Sequence, residues 1–304
     1  MDESEVEDID KYYKPAEFGN IKRCRSDAKW SWFRAKQSEH FFVFWEAGFG
    51  EDPNSSDVPA NLRVDIDDPL VKAEQFYKTN IEVLKMAELG QGKSQLDNYK
   101  MEIYLIYQEE WLATGAGYDD VIGALWVNPS TCQPVGSTIA HEIGHSFQYQ
   151  VYCDKILQGE ANNFKHGFRY GYEGSDGGCG FWEQCAQWQS YQDYPEQLFD
   201  NYHFTVWLAN SHRHFEHEWM RYASYWLQYY WTEKCGIETV SNIWKQSAYP
   251  EDAINTYSRL YADNQWSVVS NELWDYAVRM ATFDIDGIRS YSTNYQGQYS
   301  TKLY

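Results

Sequence analysis

The apolar positions of this chain fall into short dense runs in its first half and into helix-length stretches in its second. Around His40-Phe41-Phe42-Val43-Phe44-Trp45 the aromatic and β-branched density predicts a strand, broken by turn residues from Gly48 to Asn54. Asp68-Pro69 opens a helix that Val71, Phe76, Ile81, Leu84 and Leu89 continue and Gly90 stops. Tyr99 to Tyr107 predicts a second strand, residues 108–122 a loop around Gly115-Ala116-Gly117, and Gly123 to Val127 a third strand ended by Asn128-Pro129. Pro134 to Ser137 leads into a further helix. Residues 159–180 are rich in glycine and polar residues and predict a long loop. Phe181 to Trp188 begins a helix, and Trp219 to Trp231, apolar on every face, predicts a buried one capped by Gly236. Helices follow near 237–247 and 251–262, and beyond 263 the pattern favours neither helix nor strand. With residues 1–20 read as a flexible acidic lead-in, the expectation is an α+β protein. An N-terminal α/β lobe with a mixed sheet spans 21–151, a mainly helical C-terminal lobe spans 152–304, and the helix from Ser137 lies at their seam.

That helix carries His141-Glu142-Ile143-Gly144-His145, an H-E-x-x-H motif. Residues four apart share a helix face, so both imidazoles can reach one zinc ion while Glu142 holds the attacking water. Catalytic zinc takes three protein ligands and keeps one position open. A third histidine in H-E-x-x-H-x-x-G-x-x-H is excluded, because those positions hold Gln148 and Val151. The other solution is a glutamate on a later helix. Glu183 is the leading candidate: a carboxylate among Phe181, Trp182 and Trp188 is costly to bury unless its charge is compensated. Glu160, and Glu173 and Asp176 in the glycine-rich stretch, are the alternatives.

Composition narrows the partners. Lys and Arg number 25 against 45 Asp and Glu, a net charge of −20, so the basic footprint that nucleic acid or an anionic membrane demands is missing. No run of about 18 apolar residues predicts a membrane span. Aromatic residues make up 18% of the chain, with 14 Trp, which predicts a core rich in rings and, as a second expectation, stacking on sugars. Six cysteines without a C-x-x-C pair are too sparse for a disulfide scaffold or a zinc knuckle. His212-Arg213-His214-Phe215-Glu216-His217 reads as a polar helix entry rather than a second metal site. Asp65-x-Asp67-Asp68 lacks the glycine of a calcium loop and reads as a solvated turn.

The H-E-x-x-H motif with Glu183 on a following helix resembles the thermolysin-like (gluzincin) zinc metallopeptidases. It is also similar to a group of secreted H-E-x-x-H proteins of gut bacteria and fungi. The resemblance covers residues 38–260 and implies a zincin-like fold. It implies that Gly123–Val127 is the edge strand that pairs with an extended substrate. It also places Tyr222 on a helix that bears a transition-state-stabilising side chain, with His214 and His217 as the other candidates for that donor. Two departures stand out: Glu183 lies farther from His145 than such glutamates usually do, and no Asn precedes it. The acidic start, Asp2 to Asp10, resembles the stretches that follow the lipidated cysteine of bacterial surface lipoproteins. A secreted or cell-surface location is therefore expected, with any leader or lipid anchor outside this chain.

The expected function is zinc-dependent hydrolysis of peptide bonds in proteins or glycoproteins. His141, His145 and Glu183 hold Zn2+, Glu142 acts as general base and then acid, and Tyr222 stabilises the oxyanion. Two other functions fit the same residues. One is a hydrolase of a non-peptide amide or ester. The other is a non-catalytic glycan- or protein-binding module on a peptidase-like fold.

Overall fold

The computed structural model describes residues 6–18, 26–160, 180–215, 217–248 and 251–299. The protein is α+β and divides into two compact units, Met1–Glu82 with Ala87–Ala161, and Val83–Met86 with Asn162–Tyr304.

The first unit is built on one five-stranded mixed sheet. Its strands are β1 (Ala35–Gln37), β2 (Phe41–Trp45), β3 (Met101–Leu105), β4 (Ala113–Tyr118) and β5 (Ile122–Val127), in the order β1-β2-β3-β5-β4. The pairs β2–β3 and β3–β5 are parallel, and the two outer pairs are antiparallel. β2 and β3 are buried at every position, because both faces of the sheet are covered. On one face Phe44 stacks on Tyr104 and Tyr104 on Trp126 (5.7 and 5.9 Å between centroids). Trp32 and Tyr12 close over Phe42 and Phe44. On the other face lie α1 (Asp67–Lys78) and α2 (Ser137–Leu157), with Tyr77 bridging Phe41 and Phe147.

Four expectations change here. Residues 6–18 are not a free lead-in: Tyr12 packs into the aromatic face, Lys100 Nζ pairs with Asp8 (2.7 Å), and the Tyr13 hydroxyl donates to Asp119 (2.9 Å). The helix expected to run to Leu89 stops at Lys78 and widens into the turn Thr79–Val83. There buried Asn80 donates its side-chain amide to the Phe76 carbonyl, a local bond that competes with the helix ladder. The predicted loop 108–122 contains strand β4, and this strand, not Gly123–Val127, forms the sheet edge; β5 lies between β3 and β4. The helix carrying the motif continues to Leu157, past residue 151 where the N-terminal lobe was expected to end.

The described part of the second unit is helical: α3 (Gly180–Asp193), α4 (Tyr202–Asn210), α5 (Trp226–Cys235), α6 (Thr239–Gln246), α7 (Ala253–Tyr261), α8 (Trp266–Met280) and α9 (Asp286–Tyr299). Rings fill its core. Trp231 stacks on Tyr257 (4.6 Å), Phe181 on Trp244 (5.6 Å), and Phe199 packs on Trp226 (5.2 Å). α6 and α7 match the two predicted helices. α5 begins at Trp226 instead of Trp219. Before it, the Met220 carbonyl accepts from the Ala223 and Ser224 amides in a buried turn, and an apolar run does not distinguish a buried turn from a buried helix. Gly236 ends α5 with φ 98°, and its N–H donates to the Thr232 carbonyl. The helices α8 and α9 lie where no element was predicted.

The described cysteines Cys132, Cys153, Cys185 and Cys235 are free thiols. Among the described residues no helix is long and apolar enough to cross a membrane.

Candidate metal centre

The motif turn of α2 is held against the β4–β5 hairpin by a polar seam. Ser146 donates its hydroxyl to the Ala124 carbonyl on β5 and to the Glu142 carbonyl one turn back (3.0 Å each). Gln150 accepts from the Gly123 amide (3.0 Å), and the Tyr149 hydroxyl donates to Asp120 in the hairpin turn (2.9 Å). Close approach requires glycine on the strands. A Cβ on Gly115 would overlap the Glu142 carbonyl, one on Gly117 would overlap the Tyr149 ring, and one on Gly123 would press on the Ser146 carbonyl. Gly115 and Gly117 are two apart, so both face the helix. The glycines that read as a loop are therefore what lets the motif helix lie on a strand.

On this base the histidines and Glu142 are buried: His141, Glu142 and His145 are 7%, 6% and 9% exposed. The two imidazoles meet edge to face, with centroids 4.6 Å apart, and their ligand nitrogens lie within 4.8 Å of each other. The α-helical spacing read from the motif is thus realised in space. His145 Nδ1 lies 2.9 Å from Gln148 Oε1. An amide oxygen only accepts, so Nδ1 carries the proton and Nε2 keeps its lone pair for a ligand bond. Sequence reasoning used Gln148 only to exclude a third histidine. Its spacing of three from His145 on a helix was the signal for this orienting contact.

In the second unit Glu183 sits half-buried in the first turn of α3. Its carboxylate accepts a hydrogen bond from the Tyr222 hydroxyl (3.0 Å). Tyr222 lies in the turn before α5, not on a helix. The His203 ring from α4 stacks on it (5.3 Å between centroids, 24° between planes), and the Arg221 guanidinium lies 5.2 Å from its centroid. Nothing in the sequence marked His203, because the contact joins α4 to a turn nearly twenty positions on.

The remaining candidates are placed elsewhere. Glu160 is exposed and pairs with Lys155 (2.7 Å), which holds its carboxyl below the usual range. Glu173 and Asp176 lie outside the described residues, as does Glu216. His214 is exposed, and His217 accepts from Arg213 (3.0 Å) in a turn. Among the described residues neither belongs to a group of metal-capable side chains. Asp68 accepts from the Val135 amide (3.0 Å) and Asp67 pairs with Lys36, so the Asp65–Asp68 cluster is structural.

The family profile described as "Family of unknown function (DUF6055)" matches residues 4–304, and the chain belongs to that family. No curated protein and no solved structure matches it.

Proposed function

We propose that this member of the DUF6055 family is a zinc-dependent hydrolase of the metallopeptidase type, with a zincin-like fold. The observation that carries the reading is the motif turn of α2: two buried imidazoles with adjacent ligand nitrogens, and a buried glutamate between them in sequence. Histidine nitrogen and carboxylate oxygen are the donors zinc takes in catalytic sites, and His145 already has its second nitrogen committed to Gln148. The residues fit the ion. His141 and His145 would hold it, with Glu183 as the proposed third ligand.

Zinc held there would supply Lewis acidity to a water and to the substrate carbonyl. Glu142, buried and not a ligand, accepts the proton of the attacking water and delivers it to the leaving nitrogen. Tyr222 orients Glu183 through its hydroxyl and is also the proposed donor to the oxyanion. The edge role expected of Gly123–Val127 passes to β4, whose outer side no described strand pairs, and an extended peptide could add there. Secretion or surface display, and a protein or glycoprotein substrate, belong to the same proposal.

The test is metal content and turnover together. After dialysis against metal-free buffer the protein should retain about one zinc per chain. It should cleave a mixed peptide library, lose cleavage to a chelator and regain it with zinc. Failure to take up zinc at all would overturn the proposal.

A further inference from the structure

The outward arc of α8 is built against the usual rule for a surface helix. At about 100° per residue, Trp266, Ser267, Ser270, Asn271, Trp274 and Val278 share one side, all but fixed by their spacing. All are exposed, Trp266 at 53% and Trp274 at 73%. None carries charge, in a chain whose net charge is −20. The charged residues of α8 turn the other way and are engaged within the unit. Glu272 pairs with Lys234 (3.1 Å) and accepts from the Tyr257 hydroxyl (2.9 Å). Asp275 accepts from Tyr230 (2.9 Å), and Arg279 pairs with Glu233 and Asp275. Among the described residues neither exposed indole packs on another ring, and the side chains of Ser267, Ser270 and Asn271 bond to no other group. Elsewhere in this unit Trp188, Trp226, Trp231 and Trp244 fill the core, and the exposed Trp219 is covered by the Arg213 guanidinium, 4.4 Å from its ring centroid.

We infer that this arc is a binding surface for a neutral oligosaccharide. A pyranose ring has an apolar C–H face that lies flat on an indole and a rim of hydroxyls that needs short polar partners. The arc offers both, two indoles with two serines and an asparagine between them. Its lack of charge selects a neutral ligand. It argues against a second copy of this chain, because pairing two surfaces that each belong to a −20 protein is opposed by repulsion. The helix rise sets Trp266 and Trp274 about 12 Å apart along the axis, so the ligand must be longer than one sugar. An extended chain of equatorially linked rings, with C–H faces repeated along a straight ribbon, lies across both. This surface is independent of the metal chemistry proposed above.

The test is affinity electrophoresis of the intact protein through native gels containing soluble xyloglucan, glucomannan or mixed-linkage β-glucan. Retardation in at least one is expected. Trp266→Ala and Trp274→Ala should each weaken it on the order of tenfold, the loss of one stacked ring. Trp274→Phe, which keeps a ring, should retain part of it. Trp111→Ala, an equally exposed tryptophan outside α8, should leave it unchanged. Thermal midpoints confirm that the variants are folded. No retardation in any of the three gels would overturn the inference, as would retardation that Trp266→Ala and Trp274→Ala leave intact. A dimer in sedimentation velocity that Trp274→Ala dissociates would assign the face to self-association and overturn it too.

Discussion

Helices α2 and α8 depart from ordinary amphipathic patterning in opposite directions. α2 takes His141, Glu142, His145, Gln148, Gln150 and Asp154 into the interior of its unit. α8 buries Glu272, pairs Asp275 and Arg279 away from its exposed arc, and leaves two tryptophans in water. Burying polar groups is unfavourable unless each finds a partner, and exposing large rings forgoes the gain of burial. In α2 the unfavourable part is offset by hydrogen bonds to β5 and within the helix, which also fix where the motif points. In α8 nothing in the described structure offsets the exposed rings. The contrast teaches that a buried polar group with satisfied neighbours points to a preorganised interior site, and an exposed ring without neighbours points to an external one.

That contrast can be broken at α2 first. Glu142→Gln keeps the shape and hydrogen-bonding size of the side chain but removes its basicity. Turnover should fall on the order of a thousandfold with zinc content unchanged. Full hydrolysis by the metal-loaded variant would strip α2 of its chemical role. Tyr222→Phe comes next, removing the hydroxyl that donates to Glu183. If the hydroxyl mainly orients a ligand, zinc affinity should drop about 10–100-fold, measured by competition with a chromogenic chelator. A fall in kcat at constant zinc affinity would give it the oxyanion role instead.

A smaller effect tests the packing under the motif. Gly115→Ala places a methyl on the Glu142 carbonyl and should destabilise the protein by about 1–3 kcal/mol in urea unfolding. A neutral substitution there would mean that β4 and α2 do not need their close approach. The smallest effect concerns Asp154. Burial pushes its carboxyl up to about 6, although Gln150, Ser94 and the Gln95 amide hydrogen-bond to it. The native state therefore holds this proton more tightly than the unfolded chain does. The cost of the buried charge is fully present above about pH 6 and is relieved as pH falls towards the ordinary carboxylate value of 3.8. Asp154→Asn should raise the thermal midpoint at pH 7.5, by about 1–2 kcal/mol in stability, and the advantage should disappear near pH 4. An advantage that persists at pH 4 would show that the charge is not what costs stability.

The legible parts of the fold were those in which local pattern and final burial agree. β2 and β3 are dense in apolar residues and are buried, and α6 and α7 have one apolar side and bury it. Where packing reverses the local signal, the pattern misled. β4 is poor in side chains because a helix lies on it, and so it read as a loop. α8 carries its charges away from its exposed arc and tryptophan on it, and so it read as neither element. The lead-in looked solvated because its acids outnumber its rings, yet Tyr12 and Phe18 pack against rings of the sheet and Asp8 pairs with Lys100.

The motif was legible for a different reason. His141, Glu142 and His145 lie within a single helix, and helix geometry relates residues four apart whatever surrounds them. The sequence by itself determined that two imidazoles share one face with a glutamate between them, that the chain is α+β, and that its net charge is −20. Only the tertiary structure decided that this face is buried, that β4 forms the sheet edge, that Tyr222 contacts Glu183, and that tryptophans on α8 remain in solvent. Those properties depend on pairings between segments far apart in the chain, set by packing and hydrogen-bond partners that local spacing does not encode.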